Sequence, residues 1–301
     1  MAEVKEEKSF KIDYVNAINK FSSAMQKFPV KKILYRTLFR GRGLEFESYR
    51  SFQPDDDASF IDWKASLRSN TLLAKKYIEE RDLRVYFFVD VSSGMLFGSG
   101  DRLKSEYAAE FIAALAHLVM EAGDMVGLVL FADGITKFVP PANGKKHFYM
   151  LTKILADPKN YGGDFVFDKP VDYVLKTVKT DYTIFILVSD FIRMRKTIGL
   201  PLKMLSSRFE TLAVMIRDPM DEVLPNTKFQ LSISDPYSDR QLILDTELAY
   251  EKYRESAFGQ KKRVKELFSE SNIDLLELKT DVDFYLTVAS FLRSRARGQR
   301  I

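Results

Sequence analysis

The chain contains no cysteine. Disulfide frameworks, thiolate nucleophiles and cysteine-ligated zinc or iron–sulfur sites are therefore excluded, and the absence fits a reducing compartment. Histidine is nearly as scarce. Only His117 and His147 occur, so one chain cannot assemble a multi-histidine metal centre. Long apolar runs are missing too. Stretches such as Val85–Val89 and Ile184–Val188 fall far short of the roughly 20 residues that span a bilayer, so no transmembrane segment is expected. The opening MAEVKEEKSFK is charged and lacks a signal-peptide core, which makes a cytoplasmic location the expectation. Charge of one sign is also lacking. Against 42 acidic residues stand 46 basic ones, a net +4, and no nucleic-acid partner is expected from so weak a bias. What is present is ordinary core material, 46% hydrophobic and 29% charged residues. At 301 residues, a main domain with added elements is expected.

Residues 10–28 carry Phe10, Tyr14, Val15, Ile18, Phe21, Met25 and Phe28 at helical spacing, and Pro29 stops the run. The basic stretch Lys31, Lys32, Arg36, Arg40 and Arg42 reads as a solvated face, with an anionic partner or peripheral membrane contact as the alternative. Residues 41–80 look irregular and strand-rich. Ser59 is the expected cap of a short helix through Ile61, Trp63 and Leu67. From residue 84 the pattern changes. Strand-length apolar runs (85–91, 126–133, 183–190, 211–216, 273–278) alternate with helices near 103–120, 146–156, 171–178, 198–207, 247–269 and 281–297. Asp133-Gly134 signals a hairpin returning antiparallel through 135–139, and Asp281 is the expected cap of the last helix. Two weaker strand-like pieces, FQLSIS and QLIL, lie between 217 and 246. Continuous apolar strands alternating with helices imply a three-layer, doubly wound, mostly parallel α/β sheet covered on both faces.

Two aspartates stand out by position. Asp90 ends the first sheet strand and Asp190 the fourth. Ligands of open α/β sheets sit outside the carboxyl ends of strands, where strand order reverses. With the common order 3-2-1-4-5-6, Asp90 and Asp190 face one crevice, beside Ser92 and Ser93. Carboxylates and hydroxyls suit magnesium, manganese or calcium. The alternative is that Asp90 and Ser92 only cap the loop and the next helix.

Asp90-Val91-Ser92-Ser93-Gly94-Met95 resembles the metal-ion-dependent adhesion site loop, Asp-x-Ser-x-Ser, of von Willebrand factor A domains. The stretch GRGLEFESYRSFQPDDDASFIDWKASLRSNTLLAKKY (41–77) resembles the signature of domain-of-unknown-function family 58. Gly41, Gly43, Glu45, Phe46, Arg50, Phe52, Pro54, Asp56, Asp57, Ile61, Asp62, Trp63 and Arg68 carry the match, and Asp55 replaces a turn glycine. The likeness continues through LVSDF (187–191) and FLRSRARG, about 30–298 in all. It implies a Rossmann-like von Willebrand factor A-type domain over 82–298, a small β-rich subdomain over 30–81 and a helical arm over 1–29. It also implies a MoxR-type AAA+ ATPase as partner, in the assembly or maturation of protein complexes. The implied metal set is Asp90, Ser92, Asp164 and Asp190, holding Mg2+ or another divalent cation. That set is degenerate: Gly94 stands where the second loop serine belongs, and Gly163 where the ligand threonine belongs.

Other constellations carry less. Gly98–Ser105 looks phosphate-binding but lacks the Gly-Lys adjacency of a nucleotide loop. No histidine stands beside a nucleophile, and His117 and His147 read as packing or surface residues. Asp55-Asp56-Asp57 reads as a solvated turn, Trp63 as a core anchor, Arg68 as a partner of Asp62, and arginines 293, 295, 297 and 300 as a solvated tail. The expectation is a non-enzymatic protein-interaction module. The alternatives are a metal-dependent hydrolase using the Asp90/Asp190 cluster and a metal-independent structural adaptor.

Overall fold

A computed structural model describes residues 10–25, 46–53, 56, 58–77, 83–178, 182–225, 230–238 and 240–296. The basic stretch 31–42, Asp55, Asp57 and Arg297 and Arg300 of the tail lie outside them, as do the side chains of Arg293 and Arg295. Two compact units divide the chain, one drawn from Phe39–Asp82 and the other from Met1–Leu38 with Leu83–Ile301.

In the smaller unit β1 (Phe46–Ser51) pairs antiparallel with β2 (Leu73–Tyr77), and α2 (Trp63–Ser69) precedes β2. The cap of α2 is Asp62 rather than the expected Ser59. Its Oδ1 accepts the Ala65 N–H at 3.0 Å, while Ser59 lies in a preceding 3-10 turn, Ala58–Phe60. Ile61 cannot begin the helix because it bridges to Ala74 across the strand pair. Asp62 also accepts from Tyr49 Oη at 3.1 Å and faces Lys75 Nζ at 3.4 Å, so its partners are these rather than Arg68. Arg50 makes a forked pair with Asp56, its Nη1 donating to Oδ2 at 2.6 Å. Within the smaller unit Trp63 stands largely exposed at the first position of α2.

The larger unit is built on one six-stranded sheet. Its members are β3 (Arg84–Asp90), β4 (Met125–Phe131), β5 (Ile135–Ala142), β6 (Thr183–Ser189), β7 (Glu210–Arg217) and β10 (Asp274–Lys279), in the spatial order β10-β7-β6-β3-β4-β5. All neighbours are parallel except β4 and β5, joined by the Asp133-Gly134 hairpin. This is the mostly parallel α/β architecture expected, with strand order reversing between β3 and β6. The four central strands β3, β4, β6 and β7 read as continuous apolar runs because both their faces are covered. On one side Tyr86, Phe88, Phe185, Leu187, Ala213 and Met215 pack with α5 (Asp168–Thr177), α6 (Gly199–Arg208) and α7 (Thr246–Glu270), through Val171, Val174, Leu202, Leu205, Val264 and Phe268. On the other, Ile186, Leu212 and Leu276 meet α3 (Lys104–Glu121) and α8 (Phe284–Ala296). α4 (Lys145–Ala156) packs on α3. β5 is one of the two edge strands and tolerates Pro140 and Pro141 there, where ladder donors are dispensable. The two weak strand-like pieces form a separate antiparallel ribbon, β8 (Gln230–Ser234) and β9 (Gln241–Asp245). The last helix begins at Phe284, so Asp281 lies in the turn before it rather than at its cap.

Nearly every residue of α3 is buried, which an amphipathic surface helix would not allow. Its outer face is covered by α1 (Tyr14–Met25), whose Ala17, Phe21 and Met25 are buried. Three polar groups at this contact are matched, while the buried Ser105 hydroxyl of α3 has no partner among the described residues. Glu106 Oε1 accepts the Lys11 N–H at 2.6 Å, Glu110 Oε1 accepts the Asp13 N–H at 3.1 Å, and Tyr14 Oη donates to the Thr152 carbonyl at 2.9 Å. Phe21 lies edge-on to Phe284 of α8, with ring centroids 5.9 Å apart. Of the apolar stripe at 10–25, Phe21 and Met25 are buried within this chain, Phe10, Tyr14 and Ile18 are half-buried and Val15 is exposed; residues 26–28 lie outside the described set. Phe21→Ala should cost about 3–5 kcal/mol of folding stability. Urea titration of both proteins checks this, and an unchanged midpoint would place α1 elsewhere in solution.

Candidate functional site

The carboxyl ends of β3 and β6 lie side by side, Val89 opposite Val188, at the point where the strand order reverses. Asp90 and Asp190 follow on these adjacent ends. Asp90 is 1% exposed. Its Oδ1 accepts the Ser92 N–H at 2.8 Å and its Oδ2 accepts the Ser189 hydroxyl at 2.6 Å. Burial, and secondarily the charge of Asp190, pushes the Asp90 carboxyl from 3.8 up to about 7. Asp190 is aimed by a tight turn: Phe191 adopts φ 51 and is held there by burial against Phe268, with ring centroids 4.9 Å apart. Asp190 Oδ1 accepts the Ile192 N–H at 2.9 Å.

The other oxygen of Asp190 is not free. Lys104 Nζ donates to Asp190 Oδ2 at 2.6 Å and lies 3.2 Å from Asp221 Oδ2, with the Lys104 side chain only 1% exposed. Burial alone would lower the pKa of this ammonium. The charges and hydrogen bonds of Asp190 and Asp221 outweigh that and hold it above the usual lysine value. Burial, and secondarily repulsion from Asp190, raises Asp221 in spite of its lysine partner. Lys104 opens α3 after a loop whose Ser99 donates through both N–H and hydroxyl to Asp218, so the Gly98–Ser105 segment binds a carboxylate of its own chain.

Tyr237, from the turn between β8 and β9, closes the crevice. Its hydroxyl lies 3.1 Å from Ser92 Oγ. Gly94 makes this possible: a Cβ there would sit 2.3 Å from the Tyr237 oxygen. Arg193 lies over the Tyr237 ring at 4.2 Å and pairs with Asp164 Oδ1 at 2.6 Å. Gly163 adopts φ +84, and a Cβ there would meet Asp133 Oδ2 at 2.7 Å. The 162–165 loop is pinned to the Asp90 loop by Gly162 N–H to Val91 carbonyl and Ser93 N–H to Gly163 carbonyl, at 2.7 and 3.0 Å.

Of the four residues proposed from sequence as metal ligands, the structure brings Asp90, Ser92 and Asp190 to one crevice and turns Asp164 toward Arg193 and the Asp133 loop. The donors present fit a divalent ion poorly. Asp90 and Asp190 spend their oxygens on Ser92, Ser189, Ile192 and Lys104, while Tyr237 faces Ser92 and stands over Gly94. Among the described residues no cluster of three acidic or histidine side chains is arranged to hold a metal. His117 faces Glu121 and His147 bonds the Val126 carbonyl, so neither serves the crevice. Lys104, Asp221, Arg193 and Tyr237 were missed by sequence reasoning. One signal did exist, a lysine in the first turn of a long helix, where the helix dipole disfavours positive charge.

The molecule is thus an α/β protein whose mostly parallel sheet carries an acidic crevice at its strand-order reversal. Residues 48–265 match the family described as "Protein of unknown function DUF58", and the chain belongs to that family. The uncharacterized protein Rv1480 of Mycobacterium tuberculosis is 26% identical over 267 residues, 87% of this chain and 82% of that one. Bacillus subtilis has an uncharacterized protein, YeaD, 28% identical over 109 residues, 36% of this chain and 25% of that one. Among solved structures, the conserved hypothetical protein BatB of Bacteroides thetaiotaomicron superposes with a TM-score of 0.48 at 10% identity, over 71% of this chain and 99% of that one. An aerotolerance-related membrane protein of Bacteroides fragilis gives 0.45 at 14%, over 72% and 100%. No described helix is long and apolar enough to cross a membrane.

A carboxyl whose pKa is raised on folding favours the folded state while both states are protonated, and that contribution fades as pH rises toward the folded value. Asp90 therefore contributes most below pH about 4 and loses its contribution as pH approaches about 7. Asp90→Asn keeps the shape and removes the charge. Relative to this variant, the native chain should lose on the order of a few kcal/mol between those limits. Denaturation of both proteins at pH 4, 5.5 and 7 in the presence of a chelator measures this, and parallel profiles would show that Asp90 titrates normally.

Proposed function

We propose that this chain is a non-enzymatic protein-interaction module of the von Willebrand factor A type. In this reading it is a cytoplasmic partner of a MoxR-type AAA+ ATPase in the assembly or maturation of other protein complexes. The partner and the fold-family assignment come from the resemblance of the 41–77 signature and the Asp-x-Ser loop. The crevice at the ends of β3 and β6, rimmed by the 132–134, 162–165 and 190–193 loops, is the binding face. The observation that carries the reading is that the buried polar groups of this crevice are satisfied by one another. A hydrolytic centre needs a base or a metal-bound water with room to attack. Here Asp90 accepts from Ser92 and Ser189, and Asp190 from Ile192 and Lys104. At the rim, by contrast, charge is offered outward: the Asp164 side chain is 52% exposed and that of its partner Arg193 34%.

The test uses the purified chain and a purified MoxR-type ATPase from the same organism. Asp164→Lys, which reverses a rim charge, should weaken binding at least about tenfold in calorimetry, on the order of 1.4 kcal/mol, while circular dichroism is unchanged. The native chain should turn over neither phosphoester nor peptide substrates with magnesium or manganese. Metal-dependent hydrolysis lost in both Asp90→Ala and Asp190→Ala would favour a hydrolase instead. A structural adaptor would keep its affinity in Asp164→Lys and lose it in Val15→Glu, on the exposed face of α1.

A further inference from the structure

We infer that the Lys104 ammonium stands in for a divalent cation in this crevice, making it a metal-independent site in which the chain supplies both the positive charge and the group above it. This goes beyond the interaction reading, and it holds whether or not the crevice binds a protein. Asp190 and Asp221, with Asp90 beside them, bury their side chains at the ends of three neighbouring strands or the turns that follow them, a concentration of carboxyl groups that needs a compensating cation. Lys104 is the buried cation that reaches them, bonded to two of the three carboxylates. It does so from the first position of an 18-residue helix, where the backbone N–H groups make positive charge unfavourable. The placement is therefore held by the carboxylates and not by the helix.

The surroundings complete the substitution. The Lys104 stem brings its Nζ 5.5 Å from the Phe97 ring centre, and burial leaves the ammonium no bulk water to turn to. Above Asp190 and Ser92, the space a Gly94 side chain would take is filled by the Tyr237 hydroxyl. A hydroxyl at Gly94 would collide with Tyr237, and a threonine at Gly163 would need a left-handed backbone and would meet Asp133. The two missing hydroxyl ligands are thus replaced by chain atoms rather than simply lost. Removing the lysine charge would leave the oxygens of Asp190 and Asp221 that it now bonds without a counter-charge, and paired carboxylate oxygens are donors that magnesium and manganese favour.

The experiment measures thermal unfolding and calorimetric titration with MgCl2 and MnCl2, against EDTA, on the full chain. The native protein should show no saturable binding up to about 10 mM and no shift in melting temperature, whereas millimolar or weaker sites of other proteins remain measurable in that range. Lys104→Ala should acquire manganese binding at least tenfold tighter than the native chain's limit, with a rise in melting temperature on adding the ion. Adding Asp190→Asn should abolish that gain. Should Lys104→Ala not fold, Lys104→Gln, which keeps the stem, carries the same comparison. Saturable binding by the native chain that Asp190→Asn removes would overturn the inference, as would a folded Lys104 variant with no gained affinity. Neither outcome touches the ATPase binding measured with Asp164→Lys, so the two readings fail separately.

Discussion

A buried ammonium among buried carboxylates is an arrangement that water strongly disfavours and that a fold keeps only when every partner is in place. Lys104 belongs to the start of α3, Asp190 to the turn leaving β6, and Asp221 to the 3-10 turn leaving β7. One side chain therefore clamps a helix to the turns leaving two adjacent strands, β6 and β7, beside the point where the strand order reverses. The remaining polar groups are arranged around this clamp. Asp221 also accepts the Asp218 N–H, and Asp218 in turn accepts from Ser99, Met220 and Thr280, which fixes the loop that delivers Lys104. Withdrawing any member would expose its partners' charge to an interior that cannot solvate it.

Much of this was open to reading in the residues. Four of the five parallel strands are continuous apolar runs because both faces are buried, β10 at the edge carrying Glu277 instead, and Asp133-Gly134 could mean little other than a hairpin. Given those elements and the common strand order, the shared edge of Asp90 and Asp190 followed from the rule for open sheets. What resisted reading depended on partners distant in sequence. Ser59 and Asp62 are equally good caps by type; the bridge from Ile61 to Ala74 decides between them. α3 reads as one helix among several until α1 is laid over it. Tyr237 comes from a weakly patterned ribbon, 145 positions from the serine it meets, and no local spacing could have tied it to the crevice.

The residues that carry the family likeness do structural work inside the small unit. Arg50 and Asp56 fork together, Asp62 caps α2 and receives Tyr49 and Lys75, and Ser66 bonds the backbone of both Asp62 and Leu73. These contacts stand in for a sizeable apolar core among the described residues of this unit. A signature of this kind marks a fold more directly than a chemistry. It explains why the most recognisable stretch of the chain lies apart in sequence from the acidic crevice.

The seat of α1 has a consequence for biosynthesis. That helix packs on α3 and on α8, with Phe21 against Phe284 and Lys20 Nζ 3.8 Å from Asp283. Among the first described residues to leave the ribosome, it must wait for nearly the last before its apolar face is covered on both sides. During translation at roughly 5–20 residues per second, that interval lasts some tens of seconds. Throughout it the α1 segment lacks the α8 side of its packing surface, and a 12-residue segment on its own is only marginally helical.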